Sequence, residues 1–186
     1  MSASPEIRGL PERAELLAAP AVVEAAVVKI ANAISAVFLN KSARPLALVV
    51  MRGGLIFAGH LLPLLRFPVD IDYVDATRYG ASTRGGELNW RAAIPEVTGR
   101  VVLLIDDILD EGLTLAAVRK TLLDAGAEEV LIAVFAEKDL PNAKPVKADF
   151  VGITLPNRYV FGFGMDVRGL WRNLPAVYAL AQDQLD

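Results

Sequence analysis

Residues 101–105, Val-Val-Leu-Leu-Ile, run without a polar break into two adjacent carboxylates, Asp106 and Asp107. Asp110 follows, then Glu111, Gly112 and Thr114, and beyond them apolar residues recur at helical spacing. A continuous branched apolar run of this kind reads as a strand buried on both faces, as in a parallel sheet. Because the run ends in acid, it also predicts where chemistry sits: ligands of open α/β sheets bind beyond the carboxyl ends of the strands. Gly112 gives the next turn backbone freedom and Thr114 places a hydroxyl near the first helical turn, where amide N–H groups can hold a phosphate. A single aspartate here is explained as a helix cap. Asp106, Asp107 and Asp110 together, with Glu111 as a further acid, exceed what a cap needs. They predict a diol or metal site beside a phosphate cradle.

The rest of the chain supplies a matching frame. Residues 1–19 read as an irregular arm. Pro20 is placed to start a helix that runs from Ala21 to Leu39, with Asn40 closing it. Leu46–Met51 is a buried strand ending in Arg52-Gly53-Gly54, and Leu55–Leu65 a helix that Pro68 breaks. Val69–Ala76 alternates as a strand with one wetter face. Residues 78–87 hold Arg78, Tyr79, Arg84 and three glycines, a composition that suits a lid or a plain hairpin loop. Leu88–Ile94 is the returning strand. Leu115–Ala125 is a helix stopped by Gly126, and further strands are expected at 130–135, 149–153, 159–161 and 176–180. The expected fold is α/β, with a mostly parallel central sheet, helices on both faces and a small hood. One domain is expected over residues 1–186, with its core over about 40–155 and the hood from about 156–186 together with the N-terminal arm.

Hydrophobic residues make up 54% of the 186, which points to a large core or a buried subunit interface, and so to a homodimer or homotetramer. The net charge is −3 and no basic run occurs, which argues against a nucleic-acid partner. The absence of cysteine excludes disulfides, thiolate catalysis and Cys-based zinc sites. His60 lies in an apolar helical stretch, as a satisfied or surface histidine, so acid–base chemistry must rest on carboxylates, Lys or Tyr. The N-terminus lacks a signal pattern and no uninterrupted apolar stretch of about 18 residues is present, so no membrane partner and a cytoplasmic location are expected.

Three strand ends carry polar groups: Arg52-Gly53-Gly54, Asp106-Asp107 with the turn to Thr114, and Lys138. If these strands are neighbours, the junctions converge on one cleft. Carboxylates, glycine turns, a lysine and a lid with arginines suit a phosphorylated sugar held with Mg²⁺, which shares its shell with substrate phosphates.

The segment from Val101 to Thr114 resembles the phosphoribosyl-diphosphate signature of the type I phosphoribosyltransferases: an apolar run, two acids, two apolar residues, then Asp-x-Gly-x-Thr. Val50–Gly54, Glu137-Lys138, Asp149–Gly152, Asn157–Asp166 and Trp171–Pro175 resemble, in that order, the hypoxanthine-guanine members of that family. The resemblance implies transfer of a 5-phosphoribosyl group from phosphoribosyl diphosphate to N9 of a 6-oxopurine. It implies that Asp106 and Asp107 hold the ribose hydroxyls and the metal shell, and that Asp110 accepts or shares the proton at purine N7. The turn Asp110, Glu111, Gly112, Leu113 and Thr114 would bind the 5′-phosphate, and Arg52, Gly53 and Arg172 the pyrophosphate. Lys138 would donate to the 6-oxygen, Tyr159 stack on the base, Val160 meet its edge through backbone groups, and Asp166 bind a second Mg²⁺. Tyr79 and the loop after it would close over the reaction. Two residues depart from the family pattern: Arg52 stands where Lys is usual, and Glu111 where Thr or Ser is usual. The first keeps a cation; the second sets a carboxylate in a phosphate loop, where it repels the ligand unless it turns outward. Other readings are a regulator of the same fold that binds RNA or nucleotides, and a transferase for another base such as xanthine. The acidic pI counts against the first.

Overall fold

The computed structural model describes residues 9–11, 13–39, 44–78 and 88–181. In chain order its elements are β1 (Glu15–Ala18), α1 (Pro20–Phe38), β2 (Leu46–Val50), α2 (Gly54–Leu61, prolonged by a 3-10 turn at Leu62–Leu64), β3 (Asp70–Val74), β4 (Ala76–Arg78) and β5 (Leu88–Trp90). Then follow β6 (Val101–Leu109), α3 (Leu113–Asp124), β7 (Glu129–Lys138), β8 (Phe150–Leu155), β9 (Val160–Phe161) and β10 (Val177–Ala179).

Five strands form a parallel sheet in the order β3-β2-β6-β7-β8. After β2 the chain lays β3 to one side and β6, β7 and β8 to the other, which makes the β2–β6 boundary a topological switch point. Along β6, Val101, Leu103 and Ile105 face a core shared with Val27, Ile30 and Ile34 of α1 and Phe57 of α2. Val102 and Leu104 face a second core with Val118 and Leu122 of α3. Because both faces are covered, the strand is apolar at every position instead of every second one. Helix α1 begins at Pro20, as the sequence predicts. By length and composition it could cross a membrane, yet Val23, Val27, Ile30, Ile34 and Phe38 are buried in the sheet-facing core.

A separate antiparallel sheet, β1-β10-β9, forms the hood. It is fastened to the main core by Phe163, whose ring meets Phe135 edge-on at 4.6 Å and His60 at 5.1 Å. His60 is thus an exposed helix residue with an aromatic contact, as its apolar context suggested.

Some boundaries differ from expectation. Residues 15–18 form a strand and not an irregular arm, because Glu15 and Leu16 pair with Ala179 and Tyr178. The acids do not lie past the end of β6: the ladder continues, with Asp106 opposite Val134 and Leu109 opposite Glu137. Main-chain pairing takes no account of side-chain polarity, so β6 and β7 both outrun their apolar stretches. The stretch Val69–Ala76 divides at Asp75; β3 joins the central sheet, while β4 pairs with β5 as a two-stranded ribbon. That ribbon ends at Trp90, short of Ile94, and α3 starts at Leu113, two residues early. Asn40 and residues 79–87 lie outside the described residues.

Candidate active site

The carboxyl ends of the adjacent strands β2, β6 and β7 open into one cleft of about 500 Å³, with residues of the hood along one wall. Arg52 and Gly53 come from the turn after β2, Asp106 and Asp107 from β6, and Asp110, Glu111, Gly112, Leu113 and Thr114 from the turn into α3. Lys138 ends β7, and Tyr159, Val160, Asp166 and Arg172 come from the hood; all of these line the cleft. Tyr79, expected to close over it, lies outside the described residues.

At the centre, Lys138 Nζ donates to Asp110 Oδ2 at 2.5 Å. The lysine side chain is only 12% exposed, so it is not a solvated lysine at a strand end; Asp110 is 46% exposed. The pair sets a donor and an acceptor side by side, facing a cleft that water can enter. Tyr159, which a Tyr-Val-Phe strand would by default bury, is 42% exposed, while Val160 next to it is buried.

Asp106 and Asp107 are both buried. Burial pushes the Asp106 carboxyl well above the ordinary carboxylate range, and the adjacent Asp107 charge pushes it further. Asp107 is raised too, chiefly by burial, with Asp106 hydrogen bonding and the Arg172 guanidinium, 3.8 Å away, offsetting part of it. A sugar diol donating to these oxygens, or a divalent cation, would favour their ionised form. No group of three or more His, Asp or Glu forms a metal cage among the described residues. The adjacent carboxylates of Asp106 and Asp107 are hard oxygen donors, which suit a cation that keeps most of its shell for water and substrate oxygens, as Mg²⁺ does.

Close glycine contacts assemble this corner. A Cβ on Gly53 would fall 2.2 Å from Asp107 Oδ2, and one on Gly164 only 2.3 Å from the Gly53 carbonyl oxygen. Gly164 also has a φ of +102°, which L side chains rarely adopt. The β2 turn, the β6 acid and the hood thus pack at backbone distance. Arg172 donates to the Gly164 carbonyl at 2.6 Å and forms an ion pair with Asp166 Oδ1 at 2.5 Å. Asp166 Oδ2 also accepts the Gly169 N–H at 2.7 Å, so this residue is a turn aspartate as well as an arginine partner.

The turn after β6 ends at Gly112, the left-handed residue before α3, with φ +79° and no side-chain cap. The first main-chain bond into the helix runs from Ala116 N–H to the Gly112 carbonyl. The amides of Leu113, Thr114 and Leu115 precede it, and such first-turn N–H groups suit an anion. Glu111 borders the cleft and is exposed, so water reaches its carboxylate.

The phosphoribosyl transferase domain family matches residues 14–168. The chain belongs to the phosphoribosyltransferase family. The hypoxanthine-guanine phosphoribosyltransferase of Bacillus subtilis (strain 168) is 34% identical over 138 residues, covering 73% of this chain and 77% of that protein. That of Lactococcus lactis subsp. lactis (strain IL1403) is 33% identical over 138 residues, 73% of this chain and 75% of its own. The fold matches a hypoxanthine phosphoribosyltransferase from Staphylococcus aureus with a TM-score of 0.84, at 23% identity over 92% of this chain and 94% of the other.

Sequence reasoning assigned no part to Met51, Ile108 and Met165, which also line this phosphoribosyltransferase cleft. Ile108 reaches it only because β6 continues beyond its acids, which the apolar run did not signal. Met51, Ile108 and Met165 all fall within the segments that carry the family resemblance, Val50–Gly54, Val101–Thr114 and Asn157–Asp166, and that placement was the available signal.

Proposed function

We propose that this chain is a purine-salvage enzyme that transfers 5-phosphoribosyl from phosphoribosyl diphosphate to N9 of a 6-oxopurine, hypoxanthine or guanine, and releases pyrophosphate. The observation that carries the reading is the contact between Lys138 and Asp110. One edge of a 6-oxopurine presents the 6-oxygen beside N7. Lys138 donates to the oxygen, and Asp110 accepts the N7 proton as N9 bonds to the anomeric carbon. A 6-amino group would set donor against donor at Lys138, which selects against adenine. Tyr159 stacks on the base and the Val160 backbone meets its edge.

On the sugar side, Asp106 and Asp107 accept hydrogen bonds from the ribose hydroxyls, and the amides from Glu111 to Thr114 hold the 5′-phosphate. Arg52, Gly53 and Arg172 bind the leaving pyrophosphate. Asp106 and Asp107 would hold Mg²⁺ together with substrate oxygens, and that ion would supply charge neutralisation for the leaving group. Arg172 is ion-paired with Asp166; with the guanidinium turned to pyrophosphate, Asp166 Oδ1 would be available to hold a second Mg²⁺. Tyr79 and the loop that follows exclude water from the charged sugar centre. Cytoplasmic residence and assembly as a dimer or tetramer belong to the same proposal. Ile71 and Tyr73, exposed on the edge strand β3, are apolar surface that assembly would cover.

The test is phosphoribosyl-diphosphate-dependent conversion of hypoxanthine, guanine, xanthine and adenine by the purified protein. Hypoxanthine or guanine is expected to be used fastest. Faster use of adenine than of hypoxanthine would contradict the assignment of Lys138.

A further inference from the structure

The register of β6 with β7 ends where Leu109 lies opposite Glu137. Asp110 and Lys138 are the next residues along the two strands, one step beyond the last rung. Their mutual ion pair holds them together only until a base arrives, because each then turns to its own atom of the purine. From that moment their spacing rests on the backbone.

Lys144, in the connection from β7 to β8, reaches back across this end of the ladder. Its side chain is 10% exposed. Nζ donates to the Leu109 carbonyl at 3.2 Å, to the Lys138 carbonyl at 2.6 Å and to Glu137 Oε1 at 2.9 Å. An ammonium has three hydrogens, and all three are used within the protein. The Glu137 carboxylate balances the charge of a nearly buried lysine. The other two acceptors are main-chain oxygens, one on the residue before Asp110 and one on Lys138 itself. The Lys144 Cβ also lies 3.5 Å from where a Cβ on Gly112 would fall, so the same segment borders the phosphate turn. Lys144 is not among the residues lining the cleft.

We propose that Lys144 is a positioning residue: by bonding one carbonyl on each strand end, it sets the distance between Asp110 and Lys138 and hence their match to the purine edge. This rests on the purine-site reading above. A misplacement of about 1 Å in such a constellation lowers rate by about 100-fold, so the clamp bears directly on turnover.

The experiment compares wild type, Lys144→Met and Glu137→Gln for kcat, for both KM values, and for melting temperature. Lys144→Met keeps the stem and removes the donors. It is expected to raise the hypoxanthine KM and to lower kcat by about tenfold or more, while the phosphoribosyl-diphosphate KM stays within about threefold. Glu137→Gln keeps both carbonyl bonds and is expected to melt lower yet hold its purine KM within about threefold of wild type. Lys144→Gln, which retains an amide donor, is expected to fall between wild type and Lys144→Met and reads the same split if the methionine variant does not fold. A folded Lys144 variant with both KM values unchanged overturns the inference, as does Glu137→Gln matching Lys144→Met in purine KM. Wild-type protein inactive with hypoxanthine and guanine would instead overturn the purine-site reading, and this inference with it.

Discussion

Lys138→Met isolates the chemistry of base selection. The lysine side chain is 12% exposed and its ammonium sits 2.5 Å from Asp110, so methionine preserves the stem packing and removes only the donors. A hydrogen bond from a charged donor contributes about 1.5–3 kcal/mol. At about 1.4 kcal/mol per decade, kcat/KM for hypoxanthine falls by about 10- to 150-fold. Asp110 loses its partner, but at 46% exposure water reaches its carboxylate, so that loss adds little. Adenine behaves differently: its amino group no longer meets a donor, so its kcat/KM does not fall in parallel. The ratio of hypoxanthine to adenine use should drop at least about tenfold. Steady-state rates with both bases, at saturating phosphoribosyl diphosphate and Mg²⁺, measure it, with a thermal melt confirming the fold. An unchanged ratio, with both bases slowed equally, would show that Lys138 supports the strand end and does not read the base.

Asp110→Asn should lower turnover by about 10²- to 10⁴-fold, the usual contribution of a positioned base, with phosphoribosyl-diphosphate affinity nearly unchanged by calorimetry; an equal loss of that affinity would move Asp110 from the base to the sugar. Gly164→Ala should destabilise by about 1–3 kcal/mol for the left-handed backbone and more for the overlap with the Gly53 carbonyl 2.3 Å away; a melting temperature equal to wild type would refute the close hood contact. The raised carboxyls of Asp106 and Asp107 make the folded protein bind protons more tightly than the unfolded chain. Their contribution to stability therefore grows as pH falls through the raised values, is complete near the unfolded value of about 4, and is lost as pH rises. Asp106→Asn should flatten the dependence of melting temperature on pH above the unfolded value of about 4, relative to wild type; an unchanged slope would mean that the pair stays ionised when folded.

Strands β2, β6 and β7 were legible in the sequence because burial on both faces demands an unbroken apolar run, and such runs are local. Asp110 was readable from the acid cluster after β6, whereas the part of Lys138 at the base was readable only through the ordered resemblance, since a lysine at a strand end is ordinary. Strand β1 was not legible: its partner, β10, lies at the far end of the chain. Nor was the continuation of β6 and β7 through polar residues, which main-chain pairing alone sustains.

By itself, then, the order of residues determined the layered architecture, the acid-rich turn and the glycine turns at Gly53 and Gly112, because these follow from local burial and backbone freedom. Only the tertiary structure decided that β2, β6 and β7 are neighbours, that Asp106 and Asp107 are buried within a strand, and that Lys144 ties the two strand ends. Each of those depends on groups brought together from separate segments, and contact of that kind exists only once the chain has closed on itself.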